Sequence, residues 1–277
     1  MFEPISVIQP LAEGFERVAL GLEYAGTRFC GWQTQPDQLT VQDVLERALL
    51  KFVTHPVATI CAGRTDTGVH AVSQVVHIDV DCSRPESNWV RGLNTYLPED
   101  VCVRWVKRVD GEFSARFSAL SRTYEYWIYN DAIRSPVLAA HTGWVFRPLN
   151  ERWMREAARY LLGEHDFTSF RAADCQAATP VRTIQTLDVR RVGKLVGIKI
   201  RANAFLQHMV RNIVGSLVYV GTGRESVGWM KDVLDARSRG VAAPTFEARG
   251  LYLTSVEYPA RYALPSSGST PFFGDRK

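Results

Sequence analysis

Residues 62–71, AGRTDTGVHA, bring together residue types that can form a reactive site. An arginine stands two residues before Asp66, and a histidine stands four residues after it. The tripeptide Asp66-Thr67-Gly68 is typical of a turn, because Asp accepts backbone hydrogen bonds and Gly adopts positive φ. It is also the tripeptide that contributes half of the catalytic pair in an aspartic protease. Asp66-Thr67-Gly68 therefore has three possible interpretations: a structural turn, half of a protease site, or a single reactive carboxylate.

The protease interpretation fails on its own requirement for two carboxylates about 3 Å apart that share one proton. The sequence contains one Asp-Thr-Gly. Gly63, Arg64 and Thr65 separate Asp66 from the apolar stretch before it, and an arginine this close favours the ionised carboxylate. An ionised Asp is suited to act as a nucleophile or as an electrostatic stabiliser. The turn and the nucleophile remain open.

The histidines and cysteines do not form a recognisable metal site. The six histidines show no HExxH or similar spacing, and the five cysteines are far apart with no CxxC pair. The chain has neither a P-loop nor GxGxxG, so no bound nucleotide cofactor is expected. The cysteine pattern favours a reducing, cytoplasmic compartment.

A second group of candidate residues lies in FSARFSALSRTYEYWIY, residues 113–129, where arginines are interleaved with aromatic residues. Strand alternation places Tyr124 and Tyr126 on one face and Trp127 on the other. Tyr126 and Trp127 are typical of aromatic residues that face a core. Tyr124, with Arg116 and Arg122 nearby, matches what a flipped base requires: a stacking ring close to phosphate-binding cations.

Arg211 lies in the clearest helix of the chain, predicted over residues 206–219. Apolar residues at i, i+3, i+4 and i+7 spacing form the buried stripe of this helix: Leu206, Met209, Val210, Ile213, Val214, Leu217 and Val218. Arg211 falls at the margin of that stripe, where a solvated arginine is the common case. Its guanidinium could instead reach along a sheet.

Hydrophobic periodicity predicts the elements that position these residues. The first half reads β-α-β-β-α-β. It begins with a strand from Arg17 to Tyr24, a helix over 41–53 with Thr40 as N-cap, and strands over 57–63 and 74–80. A helix from Glu86 to Leu97, capped by Ser83, and a strand over 101–109 complete it. The second half reads as a strand over 123–130, a helix from Glu151 to Leu162, a hairpin turning at Gly193 and Lys194, two further helices and a last strand over 251–258.

This order of elements indicates two α+β lobes whose sheets could join. We expect an N-terminal extension over 1–16, an N-terminal lobe over 17–117, a C-terminal lobe over 118–264 and a poorly ordered tail over 265–277. The net charge of +4 and the pI of about 8.8 allow a polyanionic partner without requiring one. The start does not resemble a secretory signal, and the uncharged run NIVGSLVYVGTG is shorter than the roughly 20 residues that cross a bilayer, so we expect a soluble protein.

Six stretches, taken in order, resemble the tRNA pseudouridine synthase A family. They are YAGTRFCGWQTQ (24–35), AGRTDTGVHA (62–71), FSARFSALSRTYEY (113–126), GEHDFTSFR (163–171), NAFLQHMVRNIVG (203–215) and GLYL (250–253). The resemblance extends from about Arg17 to Leu264. The combination of G-R-T-D-x-G-V-H with H-M-V-R-N is highly specific.

The resemblance implies a pseudouridine synthase fold: two α/β lobes with a largely antiparallel central sheet flanked by helices, and an active-site cleft between the lobes. It implies isomerisation of uridine to pseudouridine at positions 38, 39 and 40 in the anticodon stem-loop of tRNA. The enzyme would be a cytoplasmic homodimer that uses neither a cofactor nor a metal ion.

The resemblance also implies a role for most of the candidate residues. Asp66 would be the nucleophile and would attack either C1′ of the ribose or C6 of the uracil. Tyr124 would stack on the uracil, and Arg211 would pair with Asp66 and keep it ionised. Arg64 would enter the anticodon stem and hold the target nucleotide out of the stack. Arg116 is expected to bind the substrate because of its place beside Tyr124 in the stretch 113–129, and not because of the resemblance.

Two positions depart from the family pattern. Ala25 stands where the family commonly has Asp, which removes a possible turn-capping carboxylate, and Thr67 stands where Ala is common. Two alternative functions stay open: a synthase that acts on a different RNA uridine, and a non-catalytic RNA-binding protein on the same fold. A pure binder would not need Asp66, Tyr124 and Arg211 together.

Overall fold

The structure is a computed structural model that describes residues 10–265. These residues form two compact units. The first unit comprises residues 10–120 and 253–265, and the second comprises residues 121–252. The chain therefore returns to the first unit near its end.

The predicted division into an N-terminal lobe over 17–117 and a C-terminal lobe over 118–264 stays a prediction. The segment from Leu253 onward clusters with the first unit, whereas the sequence pattern placed it in the C-terminal lobe. Most of the expected N-terminal extension and nearly all of the expected tail lie outside the described residues.

The first unit has the predicted β-α-β-β-α-β order. Its elements are β1 (Glu16–Tyr24), α1 (Val41–Val53), β2 (Ile60–Cys61), β3 (His70–Val80), α2 (Glu86–Tyr96) and β4 (Val101–Val109), with 3₁₀ turns at Gly26–Arg28 and Ala260–Tyr262. Strand β1 lies between β3 and β4 and is antiparallel to both, and β2 is antiparallel to β3. The β2–β3 connection carries Asp66.

Helix α1 begins where the sequence predicts because Thr40 caps it. Thr40 Oγ1 accepts a hydrogen bond of 3.2 Å from the Asp43 backbone N–H, which satisfies a donor of the first turn. Apolar residues at helical spacing form its buried face: Val41, Val44, Leu45, Ala48 and Leu49, with Phe52 half-buried at the end. At the end of the helix, the ring of Phe52 packs 5.0 Å from that of Trp89 in α2.

The predicted cap of α2 is wrong. The N-cap of this helix is Pro85, which makes no side-chain capping bond. Ser83 lies too far before the first turn to reach its N–H groups, and its hydroxyl accepts a hydrogen bond of 2.5 Å from Arg108 Nη2. The helix also ends one residue early, at Tyr96, because Leu97 precedes Pro98 and is extended.

The second unit contains the elements β5 (Ser121–Asn130), β6 (Gly143–Val145), α3 (Glu151–Ala158), β7 (Gly163–Asp166), β8 (Val181–Val192), β9 (Leu195–Ala202), α4 (Met209–Gly221) and α5 (Trp229–Ala236). The last strand, β10 (Leu251–Glu257), crosses the boundary between the units. Strands β5, β9, β8 and β7 are neighbours in this order and antiparallel, and β6 runs parallel to β5. The expected fold class, helices with a largely antiparallel sheet, is confirmed.

The hairpin of β8 and β9 turns where predicted, since Val192 pairs with Leu195 and Gly193 has a φ of +59°. Three other elements are shorter than predicted. The strand predicted over 57–63, directly before Asp66, is reduced to β2. The helix predicted from Glu151 to Leu162 passes into a 3₁₀ turn at Arg159–Leu161, and the helix predicted from residue 206 begins at Met209 as α4. The left-handed backbone of His208, with a φ of +61°, prevents α4 from starting earlier.

Candidate active site

Asp66 stands at the first position of a tight turn between β2 and β3. The Val69 N–H donates to the Asp66 carbonyl oxygen at 3.1 Å, and Gly68 has a φ of +79°. A positive φ at the third residue is what a type II turn requires, so Gly68 cannot readily be replaced. The Asp66 side chain is half-buried. The turn interpretation and the reactive-carboxylate interpretation are thus compatible, because the turn presents the carboxylate.

The segment after β1 holds this turn through backbone hydrogen bonds. The Trp32 N–H donates to the Thr65 carbonyl oxygen at 2.9 Å. The Gly68 N–H donates to the Phe29 carbonyl oxygen at 3.3 Å. Residues directly before and after Asp66 and Thr67 are therefore tied to one neighbouring loop.

Two glycines allow that loop to approach so closely. A Cβ atom at Gly26 would lie 1.9 Å from the Val69 carbonyl oxygen. A Cβ atom at Gly31, whose φ is +85°, would lie 2.7 Å from the Thr65 carbonyl oxygen. The motif YAGTRFCGWQTQ is thus explained as a support for the Asp66 turn. The Ala25 departure fits this account, because the 3₁₀ turn that follows Ala25 has no side-chain cap.

Buried side chains also hold the residues around Asp66. The Tyr24 hydroxyl lies 2.8 Å from Thr65 Oγ1. Gln74 Nε2 donates to the Gly63 carbonyl oxygen at 2.6 Å. His70 Nδ1 accepts a hydrogen bond of 3.1 Å from the Gly26 N–H. Tyr24 and His70 lie in motifs of the family resemblance and Gln74 does not, and their residue types alone did not predict a role for any of the three.

Arg64 and Arg116 both lie near the thiol of Cys61. Burial raises the pKa of Cys61 from 9.0 to about 12, and the positive charges of the two arginines act in the opposite direction. Both arginine side chains are exposed. The structure therefore brings two of the predicted substrate-binding cations into one neighbourhood of the first unit.

The segment that carries Arg116 is held at the residue before it. The Ala115 N–H donates to His77 Nδ1 at 3.1 Å, and the Tyr258 hydroxyl donates to the Ala115 carbonyl oxygen at 2.7 Å. Burial, the largest cause, lowers the pKa of His77 to about 4, so its Nδ1 stays an acceptor at neutral pH. The Arg116 guanidinium lies 5.1 Å from the centre of the Phe117 ring.

Arg17 supports the same segment and was missed by the sequence analysis. Its side chain is 2% exposed and forms two 2.7 Å hydrogen bonds with the carboxylate of Asp79. Arg17 Nη1 also donates to the carbonyl oxygens of Gly111, at 2.7 Å, and Phe113, at 2.9 Å. In the sequence, Arg17 is visible only as an arginine at the start of an apolar strand. That position does not distinguish a buried arginine from a solvated one.

Tyr124 lies in β5 of the second unit, where it pairs with Ile200 of β9. It is 7% exposed, and the ring of Phe205 meets its ring edge-on at 5.1 Å and 85°. Tyr126 is fully buried as predicted, and its hydroxyl donates to the Glu247 carbonyl oxygen at 2.8 Å. Both tyrosines on this face are buried, but Tyr124 keeps 7% of its surface exposed and Tyr126 keeps none.

Arg211 lies in the first turn of α4 and is half-buried rather than solvated. Its Nε donates to the Phe246 carbonyl oxygen at 2.8 Å, and the Phe246 N–H donates to the Arg211 carbonyl oxygen at 3.3 Å. The predicted stripe beside it is buried along its length. The guanidinium therefore has a fixed direction, as its place at the stripe margin allowed.

Asn212, the next residue in H-M-V-R-N, was also missed. It is fully buried, and its Nδ2 donates to the Phe170 carbonyl oxygen at 2.8 Å. Its Oδ1 accepts from Thr245 Oγ1 at 2.7 Å and from Arg239 Nη2 at 3.2 Å. Asn212 thus fixes the start of α4 against two neighbouring segments. An amide inside an apolar helical stripe is the signal that could have found it.

The described residues show no group of three or more His, Cys, Asp or Glu side chains that could hold a metal ion. Within residues 10–265, no helix is long and apolar enough to cross a membrane. All five cysteines are unpaired.

Comparison with known proteins identifies the class of enzyme as a pseudouridine synthase. The family model described as tRNA pseudouridine synthase matches residues 22–118 and 157–259. The tRNA pseudouridine synthase A of Paraburkholderia phytofirmans is 52% identical over 259 residues, which are 93% of this chain and 96% of that protein. The protein of the same name from Burkholderia lata is 54% identical over 258 residues, 92% of this chain and 96% of that protein.

The chain belongs to the tRNA pseudouridine synthase family. The family expected from the sequence motifs is confirmed, and with it the enzyme class, an isomerase that converts uridine in tRNA to pseudouridine.

Proposed function

We propose that this protein isomerises uridine at positions 38, 39 and 40 in the anticodon stem-loop of tRNA, with Asp66 as the nucleophile. The observation that supports the proposal most directly is the Asp66 turn. A half-buried carboxylate stands at a turn that is held by backbone bonds on both sides of Asp66. A side chain that extends from a firmly held backbone is what a nucleophile requires.

The reaction rearranges the bonds of one nucleotide without a net change in composition. The bond from C1′ of the ribose to N1 of the uracil breaks, and a bond from C1′ to C5 forms. One proton leaves C5 and one proton is taken up at N1. Attack by Asp66 on C1′ or on C6 would give a covalent intermediate, as carboxylate nucleophiles do elsewhere. The proposed reaction needs no oxidant, nucleotide cofactor or metal ion.

The other candidate residues are assigned roles in the same proposal. Tyr124 stacks on the uracil, a role supported by the small part of its surface that stays exposed, 7% against 0% for Tyr126. Arg211 pairs with Asp66 and keeps it ionised. Arg64 holds the target nucleotide out of the stack, and Arg116 binds the RNA backbone. The exposed positions of both arginines support these assignments.

The proposal includes a cytoplasmic homodimer. A cytoplasmic enzyme meets its tRNA substrate in the same compartment, and the five unpaired cysteines fit a reducing environment. The net charge of +4 fits a polyanionic partner.

The test is release of tritium from tRNA transcripts that carry [5-³H]uridine, without added metal or nucleotide. The wild-type protein is expected to release the label, and Asp66→Asn is expected to release none while it binds tRNA with nearly unchanged affinity. The amide keeps the shape of the side chain but removes the nucleophile, and the phosphate contacts remain. Asp232→Asn, which changes an exposed carboxylate on α5, is the matched control and should match the wild type.

The outcomes separate this proposal from its alternatives. Release by Asp66→Asn at the wild-type rate would exclude Asp66 as the nucleophile. Release of label from uridines other than 38, 39 and 40 would favour a synthase with another target. Binding of tRNA without release by the wild type would favour a non-catalytic RNA-binding protein.

A further inference from the structure

Three buried polar side chains adjoin the Asp66 turn and have no part in the chemistry proposed above. We call them the Tyr24–Thr65–Gln74 cluster. Their exposed fractions are 3%, 7% and 0%, respectively. The Tyr24 hydroxyl lies 2.8 Å from Thr65 Oγ1, and Gln74 Nε2 lies 3.4 Å from the same Tyr24 oxygen. The cluster is continuous.

The cluster holds the backbone on both sides of Arg64. Gln74 Nε2 donates to the Gly63 carbonyl oxygen at 2.6 Å, and its Oε1 accepts from the Gly63 N–H at 3.4 Å. The Thr65 side chain is held by Tyr24, and Thr65 is the residue directly before Asp66. Two residues that the proposed mechanism uses thus extend from a backbone fixed by these three side chains.

Such a cluster has a definite physical consequence. Buried polar groups need their partners, so a connected network permits one arrangement of the chain and penalises others. A displacement of about 1 Å at a reacting group can cost on the order of 100-fold in rate. Affinity for tRNA depends mainly on phosphate contacts, which are distributed over the surface, so a small shift of one carboxylate leaves it nearly unchanged.

We propose that Tyr24, Thr65 and Gln74 are positioning residues for Asp66. They act through the backbone of the turn rather than on the uridine. This inference rests on the proposed function of Asp66 as the nucleophile. It adds three residues whose loss reduces the rate of the chemical step without reducing substrate affinity.

The test measures the single-turnover rate, the tRNA affinity and the midpoint of thermal unfolding for each variant. Thr65→Val keeps the shape of the side chain and removes the hydroxyl, and Thr65→Ser keeps the hydroxyl. We expect Thr65→Val to lower the rate on the order of 10-fold to 100-fold with unchanged affinity, and Thr65→Ser to restore most of the rate. Thr67→Ala, on the other side of Asp66, is the control and should match the wild type, since its side chain is exposed.

Tyr24→Phe provides a second variant if Thr65→Val fails to fold. It removes one oxygen atom from the same hydrogen bond, so the double variant should lose no more than the larger single loss. Additive losses would show that the two residues act separately and would overturn the proposal. An unchanged rate in Thr65→Val, or a rate loss that follows the loss of folded protein, would also overturn it.

Failure of this inference and failure of the proposed function give different results. If the wild type does not release tritium, the proposed function fails. If the wild type is active and Asp66→Asn is not, while Thr65→Val and Tyr24→Phe both keep the full rate, the nucleophile stands and only the positioning role is wrong.

Discussion

The Asp66 turn and the Tyr124 strand place their key side chains by opposite means. Asp66 lies in an irregular connection, where the carbonyl oxygens of Gly63, Thr65 and Asp66 each accept a hydrogen bond from a different donor. Tyr124 lies within β5, where the ladder with β9 runs without interruption from Arg122 to Tyr129. The first arrangement depends on particular side chains and glycines, and the second depends on a repeating backbone pattern.

This difference decides how each region tolerates substitution. A strand residue can change its side chain without losing the ladder bonds, because those bonds use backbone atoms alone. A turn held by buried side chains and by close backbone approach loses its position when one support is changed. We therefore expect substitutions of the buried residues and glycines that support the Asp66 turn to have large effects and substitutions at Tyr124 to have local ones.

The largest effect on stability is expected for Gly31→Ala, compared with Gly193→Ala. Both glycines have positive φ, +85° and +59°, but a Cβ atom would lie 2.7 Å from the Thr65 carbonyl oxygen at Gly31 and would meet nothing within 4 Å at Gly193. The positive φ alone costs about 1 kcal/mol, and the added clash brings the loss at Gly31 to about 4 kcal/mol. Urea unfolding of both variants measures the difference.

Because both glycines have positive φ but only Gly31 has a close neighbour, the difference between the two variants measures the cost of the steric clash alone. Gly31→Ala should also lose turnover, because the Asp66 turn must shift, whereas Gly193→Ala should keep it. Equal losses of stability in the two variants would mean that the loop around Gly31 relaxes without cost and that the turn is not tightly held.

A second, smaller effect is the loss of folding stability at low pH, which we attribute to His77. His77 is 4% exposed and must be neutral to accept the hydrogen bond from Ala115, and burial lowers its pKa to about 4. Its unfolded pKa is about 6.5, so unfolded chains bind the proton first as the pH falls. The contribution of neutral His77 is therefore complete above about pH 6.5 and is lost as the pH falls towards 4, up to about 3 kcal/mol.

The free energy of unfolding, measured between pH 7 and pH 4 for the wild type and His77→Asn, tests this expectation. The Asn side chain retains an acceptor but does not titrate, so the variant should lose less stability in acid than the wild type. The exposed His55 is a control of opposite sign. The Pro56 carbonyl oxygen and Asp81 raise its pKa, so its contribution is present below the unfolded pKa and is lost as the pH rises. Parallel curves for the wild type and His77→Asn would contradict the assignment.

The regular elements of the fold could be predicted from sequence because they repeat. Strand β4 has the predicted bounds, the hairpin turns at Gly193, and Thr40 caps α1. The errors fall where a tertiary partner decides. Ser83 looked like a cap but is bound by Arg108, and the left-handed His208 delays the start of α4.

The candidate site divides in the same way. Asp66 and Arg211 were found from residue type and family motif, and their roles stay predictions. The supports could not be found, because Gln74 and Arg17 look like ordinary polar residues in a sequence. Only the fold brings them to backbone groups far along the chain, such as Gly63 and Gly111.

The smallest effect on stability is expected at Tyr124, where the strand should hold its position whatever the side chain. Tyr124→Phe keeps the ring that stacks on a base and loses only steps that need the hydroxyl. Tyr124→Leu keeps the ladder pairing with Ile200 but removes the aromatic face, so binding of the flipped base should weaken by about 2 kcal/mol.

Single-turnover rates at saturating tRNA, measured together with the free energy of unfolding, separate an effect on catalysis from an effect on stability. Comparable stability in the wild type and Tyr124→Phe, with a larger rate loss in Tyr124→Leu than in Tyr124→Phe, would support the contrast with the Asp66 turn. Global destabilisation by Tyr124→Phe would mean that this strand, too, depends on one specific side-chain contact.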